Sequence, residues 1–401
     1  MNAEPAAPDI IVKFTPVQVV SVVMLTVLAG VILSSEPLML GAMLQAHRIT
    51  APQIGHAATA ELLAMAAIAA LACNRLKPKN MKAIATVAVA ITCFANFLSI
   101  FASGNEMVLT RLLSGTASGI FPWVLSGMVV RSPAPARIYG ATNAVVNITG
   151  LCFVQLTSKF FLPHFGAGGP YGMMCGFSFL MLIPALLIRN DLPVLPKISH
   201  EAGSSIFRAL IALFGVVAFA GAFMACWVYL APVAAQLGYA KSTVTTAISI
   251  SVIFLILGSM SAAVLGKRAG YFVVLLPAII ASLLLVIALN AHLGVLAFTV
   301  TVVALCYIWN ISMPFIGLPF IIAADPSHRT AMYSFSVQLA GCAVGPFLAS
   351  LFVTSQNLRA SLGVSVFLYA LSLVVVVGVH FWVSAKRGTS SVLLQAQDPA
   401  E

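Results

Sequence analysis

Three ionisable side chains fall inside stretches otherwise apolar enough to cross a membrane: Glu36, Glu61 and Arg111. An ionised group in hydrocarbon costs about 2.5–3.5 kcal/mol on insertion scales, and such residues persist mainly where function uses them. Two carboxylates and one guanidinium leave a surplus negative charge, which a water-poor site relieves most simply by keeping one carboxylate protonated. The chemistry implied is proton carriage, with one acid held as a fixed anion and the other gaining and losing a proton. Glu61 is expected as the carrier, Glu36 as a second acid that shares the proton or contacts a solute, and Arg111 as a group alternating between a carboxylate and an anionic ligand. The opposing reading is a static buried ion pair that fixes helix register.

The elements that must position this trio follow from composition. Of 401 residues, 61% are hydrophobic and 7% charged, against roughly 25% charged in soluble domains, which excludes a water-soluble globule. The formal charge of +10 is dispersed in short clusters between apolar stretches; a nucleic-acid partner would call for a basic stripe and is not expected. A helix crossing the ~30 Å hydrocarbon core needs about 20 apolar residues. That ruler predicts an all-α, polytopic membrane protein with spans near 17–45, 52–74, 81–103, 106–130, 136–162, 170–188, 206–236, 242–266, 270–291, 294–323, 329–355 and 358–385. These twelve divide into a six-helix bundle over 1–188, a cytoplasmic linker over 189–205, and a second six-helix bundle with a short tail over 206–401. With the N-terminus inside, fifteen Lys and Arg fall in inner segments and four in outer ones, which puts both termini in the cytoplasm. Glu36 and Glu61 each lie nine residues from the outer end of their span, about 13 Å deep at 1.5 Å per residue, and Arg111 about 10 Å deep, so the three can meet in one layer.

Polar and aromatic residues on helical faces are candidates for a solute cavity. Ser114 and Ser118 share the Arg111 face of span 4; Asn143 and Asn147 share a face of span 5; Tyr307 and Asn310 share one of span 10; Gln338 shares one of span 11 with Ser334 and Gly341. Trp227, Tyr229 and Trp309 are stacking candidates, whereas Trp123 lies off the Arg111 face and is read as packing. Hydrogen bonding between helices is the alternative for the Asn, Gln and Ser side chains. All seven Cys lie within or at the ends of apolar stretches, with no CxxC pair, and are read as small packing residues. No metal-ligand spacing, no nucleophile paired with a base, and no phosphate-binding glycine loop is present, so neither an enzyme nor a metal or other cofactor is expected.

A shift of 192 residues superimposes Arg75 on Lys267, Pro122 on Pro314 and Arg137 on Arg329, and duplicated halves are the usual plan of secondary transporters. Span 4 reads Arg111-Leu-Leu-Ser-Gly115-Thr-Ala-Ser-Gly119, and the loop between spans 8 and 9 reads Gly266-Lys267-Arg268-Ala-Gly270, with Asn74-Arg75-Leu-Lys77 in the corresponding loop between spans 2 and 3. With twelve spans and a central linker, these motifs resemble the major facilitator superfamily: the Arg-x-x-x-Gly signature often associated with proton coupling, and the loop signature ending Asp-Arg-x-Gly. The resemblance implies alternating access by two rocking bundles, with Asn74, Arg75, Lys267 and Arg268 at an inner gate. Lys267 and Asn74 stand where that family has an acid, so its gating contact does not carry over. Span 5 lacks the Gly-Pro signature of the family's drug exporters. The expected function is proton-coupled symport importing a small organic solute, carboxylated if Arg111 is free to bind it and neutral if Arg111 is occupied. A proton-driven exporter of amphipathic compounds and a uniporter are the alternatives. The expected setting is a cell membrane of the bacterial inner-membrane kind, and the expected state a monomer.

Overall fold

The computed structural model describes residues 12–77, 79–129, 131–132, 135–193, 206–265, 268–317, 319–325 and 333–395. Regular structure in these residues is helical throughout. Ten runs are long and apolar enough to cross a membrane, with an eleventh in the bent pair Pro16–Ile32 and Ser34–Gln45. The longest, Ala141–Leu187, has 47 residues, more than twice what the ~30 Å core requires. It folds back at Gly166, where φ is +62°, and the rings of Phe153 and Phe177 meet across the turn with centroids 5.0 Å apart. Counted as two, that run completes the expected twelve.

The spans are therefore Pro16–Gln45 (span 1), Ala51–Arg75 (2), Met81–Ser99 (3), Gly104–Val129 (4), Pro135–Leu156 (5) and Gly169–Leu180 continued by Leu182–Leu187 (6). The second set is Ile206–Gln236 (7), Lys241–Leu265 (8), Tyr271–Leu289 (9), Val295–Gly317 continued by Pro319–Ala324 (10), Ser334–Phe352 (11) and Ala360–Gln395 (12). Span 3 ends four residues earlier than the sequence ruler suggests, and span 12 runs ten residues further. The linker beyond residue 193 lies outside the described residues.

Local sequence explains the shape of span 1. Thr15 and Gln18 cap its start reciprocally, at 3.1 and 3.3 Å, with Pro16 in the first turn, where its missing N–H is no loss. Pro37 then sits inside the helix; it offers no donor to the carbonyl of Leu33 and crowds it. The helix bends by 40° there. The hydroxyl of Ser35 donates to the carbonyls of Val31 and Ile32 at 3.0 and 3.4 Å, the local repair that lets a proline kink persist in hydrocarbon. Glu36 occupies the kink.

Both termini of this even-numbered array lie on one face, the terminal face, and the two halves touch near the other, the far face. In the first turn of span 2, the hydroxyl of Tyr229 on span 7 accepts from the amide of Gly55 at 2.9 Å and donates to the carbonyl of Ala51 at 3.2 Å. Thr59 donates to the carbonyl of Ala343 on span 11 at 2.9 Å, and Gln155 on span 5 donates to Ser249 on span 8. Gly41 of span 1 rests on Ala231 and Pro232 of span 7. These bonds between the halves lie toward the far face. On the terminal side, Ile120–Val129 and Pro319–Ala324 each pack chiefly within their own half.

Candidate functional site

The kinked span 1, the start of span 2 and the first turns of span 4 converge on one small cavity, just large enough for a water-sized molecule, lined by Glu36, Glu61, Arg111 and Tyr171 with Ile32, Met39 and Leu40. Glycine sets this convergence. A Cβ at Gly115 would fall on the carbonyl oxygen of Glu61, and one at Gly119 would stand 2.7 Å from the carbonyl oxygen of Met65. Spans 2 and 4 thus pack backbone to backbone, as small-x-x-x-small pairs permit. Arg111, one turn before Gly115, is delivered to the level of Glu61.

Arg111 and Glu61 are each 2% exposed and Glu36 4%. Arg111 Nη1 donates to Glu61 Oε1 and Oε2 at 3.3 and 3.5 Å. Nη2 donates to Asn96 Oδ1 at 2.9 Å and to Ser99 Oγ at 2.7 Å, both on span 3. Tyr171 of span 6 lies under the guanidinium, 5.0 Å from Cζ to ring centroid, a cation–π contact in a desolvated setting. Ser114, one residue before Gly115, is buried on the same helix as Arg111. Asn96 donates in turn to Ser178 of span 6 at 3.2 Å. The guanidinium therefore belongs to the interior of the first bundle and faces no open cavity between the halves. Glu36 stands apart: its Oε2 is buried without a hydrogen-bond partner, as is Arg111 Nε. Glu36 shares the cavity with Glu61 and Arg111.

The trio expected from sequence is thus brought together, as a paired Glu61 and Arg111 with Glu36 beside them. Ser114 is buried beside them on span 4, while Ser118 donates within its own helix to Ser114 O at 2.8 Å, one turn away. Asn143 and Asn147 are half-buried and make no side-chain hydrogen bond among the described residues. Trp227 lines a second, apolar cavity in the other bundle. Tyr229, a stacking candidate, instead fastens the halves at the far face. Tyr307 and Asn310 bond to Ser261 and Ser259 of span 8, both at 3.0 Å, and Gln338 donates to Ser334 at 3.4 Å; these are helix-to-helix or within-helix bonds. Trp309 stacks on Phe223 and Phe219, with centroids 4.3 and 5.6 Å away. At the proposed gate, Arg75 and Arg268 are exposed and make no side-chain hydrogen bond or ion pair among the described residues. Lys267 and the side chain of Asn74 lie outside the described residues.

Sequence reasoning missed Asn96, Ser99, Tyr171 and Ser178. A signal for two of them was present: Thr92, Asn96 and Ser99 form a buried polar stripe at i, i+4 and i+7 on span 3. Tyr171 follows a glycine-rich turn, and nothing in its neighbourhood marks it.

Compared with solved structures, the chain aligns almost end to end with several transporters. The nucleoside transporter NupG matches with a TM-score of 0.67 at 13% identity, covering 91% of this chain and 98% of that one. The human organic anion transporter MFSD10 gives 0.65 at 11%, covering 90% and 100%. The xylose transporter XylE from E. coli, in a partially occluded inward open conformation, gives 0.63 at 11%, covering 89% and 98%. The fold is that of the major facilitator superfamily. This is a multi-pass membrane protein with that architecture of twelve helices. No family model matches the sequence, and no curated protein does.

Proposed function

We propose that this chain is a secondary transporter that imports a small neutral solute together with a proton, with Glu36 as the proton carrier. The observation that carries this reading is the division of labour around the buried cavity. Glu61 is paired with the Arg111 guanidinium, whereas Glu36 Oε2 is buried without a hydrogen-bond partner. A proton on Glu36 makes the cluster of two carboxylates and one guanidinium neutral, the favourable state in a medium of low dielectric. These roles are the reverse of those expected from sequence. Glu36 also sits in the proline kink of span 1, a helix that packs against span 7 of the other half through Gly41. The ionisable groups that share its cavity are Glu61, Arg111 and Tyr171.

A neutral solute is favoured over a carboxylated one because Arg111 has Glu61, Asn96, Ser99 and Tyr171 as partners and offers no free donor pair to an anion. Free polar groups remain at Asn143 and Asn147, with Trp309 as a half-buried aromatic surface on span 10.

The test uses purified protein in lipid vesicles with an imposed pH gradient. Uridine, xylose and benzoate serve as probes, the first two because nucleosides and xylose are the solutes named for two of the similar structures. The expected result is gradient-driven accumulation of a neutral probe, abolished by Glu36→Gln while exchange of labelled for unlabelled solute persists. Accumulation that survives Glu36→Gln and disappears in Glu61→Gln would return the carrier role to Glu61. Equilibration indifferent to the gradient would identify a uniporter, and uptake only by inside-out vesicles an exporter.

A further inference from the structure

Cys93 on span 3 and Cys175 on span 6 are 82 residues apart in the chain, yet their Sγ atoms lie 3.7 Å from one another, and Cys93 Sγ also approaches the Cys175 carbonyl at 3.5 Å. Both residues are half-buried free thiols. Their neighbours Phe94, Phe97 and Phe179 are 56%, 47% and 64% exposed, so this seam opens to the hydrocarbon of the bilayer. Each cysteine is six residues from the far-face end of its helix, about 9 Å down at 1.5 Å per residue. The other cysteines differ. Cys226, Cys306 and Cys342 are buried, and Cys73 and Cys152 are exposed and have no described thiol beside them.

We propose that Cys93 and Cys175 form a dithiol site that a lipid-soluble quinone oxidises to a disulfide. The two S–H bonds break, an S–S bond of about 2.05 Å forms, and the quinone takes both electrons and both protons to leave as the hydroquinone. The setting selects the oxidant. A charged, water-borne disulfide such as oxidised glutathione is excluded by the aromatic, lipid-facing surround, whereas a quinone dissolves in it. The bridge would also reach the buried cluster. Asn96 and Ser178, bonded at 3.2 Å in the same layer of the seam, hold the Asn96 carbonyl that receives Arg111 Nη2. Tying span 3 to span 6 here would make the arginine's cradle rigid. This proposal stands on the thiol geometry and does not depend on the transport reading.

The experiment treats full-length protein in lipid vesicles with decylubiquinone, or with oxidised glutathione in the aqueous phase, and maps thiols and cross-linked peptides by mass spectrometry. Quinone should remove two thiols and yield a peptide pair joined through Cys93 and Cys175, with a higher unfolding temperature. Cys93→Ser and Cys175→Ser should each lose the cross-link and the temperature shift, and glutathione should leave both thiols free. Free thiols at both positions after quinone treatment would overturn the proposal, and equal oxidation by glutathione would overturn the assignment of the oxidant.

Discussion

Each half of the molecule holds a small cavity, and the two have walls of opposite chemistry. In the first half, spans 1, 2, 4 and 6 contribute Glu36, Glu61, Arg111 and Tyr171. In the second, spans 7, 10 and 12 contribute Cys226 and Trp227, Cys306, and Tyr369. A buried tyrosine lines each cavity, Tyr171 on span 6 and Tyr369 on span 12, but the second cavity has no charged side chain in its walls. Buried charges kept in one half in spite of their desolvation penalty are what the proposed proton carriage rests on.

The largest effect should come from breaking this difference at its centre. Arg111→Met leaves Glu61 buried and uncompensated, a loss of about 3–5 kcal/mol, whereas Cys306→Ala in the wall of the second cavity removes a small apolar contact worth about 1 kcal/mol. Thermal unfolding in detergent should show a deep fall for the first and a shallow one for the second. The double variant Glu61→Gln/Arg111→Gln should recover part of the loss, because no unpaired charge remains. Equal falls for Arg111→Met and Cys306→Ala would mean that the arginine acts as a space-filler and that the contrast between the halves is only one of side-chain identity.

Next in size are the two close helix crossings. Gly115 lies on the carbonyl of Glu61 and Gly345 on the carbonyl of Gly221, so an added methyl must push backbone away in either half, at about 1–3 kcal/mol. Gly115→Ala and Gly345→Ala should thus destabilise alike in an unfolding scan. Coupled transport should separate them, since only Gly115→Ala moves Arg111 from Glu61.

That asymmetry was legible in the sequence and its geometry was not. Span count, the six-plus-six division and the depth of Glu36, Glu61 and Arg111 follow from apolar run length and helical rise, which depend on local sequence. The partners of Arg111 come from spans 3 and 6 and depend on how helices rotate against one another, which run length does not encode. For the same reason Asn310 and Tyr307, polar residues facing span 8, looked like solute contacts. Pro37 is an intermediate case: a proline in a span signals a kink, but only the packing puts Glu36 at the cavity. Tyr229 shows the limit, since nothing local marks an aromatic residue whose hydroxyl bridges the carbonyl of Ala51 and the amide of Gly55 in the opposite half.

The seam at Tyr229 tests whether the halves behave as separate units. Tyr229→Phe removes two hydrogen bonds at about 0.5–1.5 kcal/mol each, all of it lost from the state in which the far face is closed. The population should shift toward opening there, as a ligand with the same differential energy would shift it. Ser350, which lies under Gly55 at this seam, can be replaced by Cys to report the change. A water-soluble maleimide applied from the far side should label Ser350→Cys faster when Tyr229→Phe is also present. Unchanged labelling would show that the far face is held by span packing alone.

The smallest energies separate asparagines that look alike in sequence. Asn310 in span 10 accepts from Ser259 at 3.0 Å, while Asn143 and Asn147 in span 5 make no side-chain hydrogen bond among the described residues. Asn310→Ala should lower stability by about 1 kcal/mol, the net value of a buried hydrogen bond, and leave the KM for a transported probe unchanged. Asn143→Ala and Asn147→Ala should stay within about 0.5 kcal/mol of wild type in unfolding, as substitutions away from a network do, and raise KM with little change in the maximal rate. Such a split would give the neutral half a structural asparagine and place the solute's polar contact in the half that already carries the proton. Raised KM in Asn310→Ala, with the span 5 variants indifferent, would move solute recognition across the seam, and coupling would then have to pass from Glu36 through the packing of span 1 on span 7.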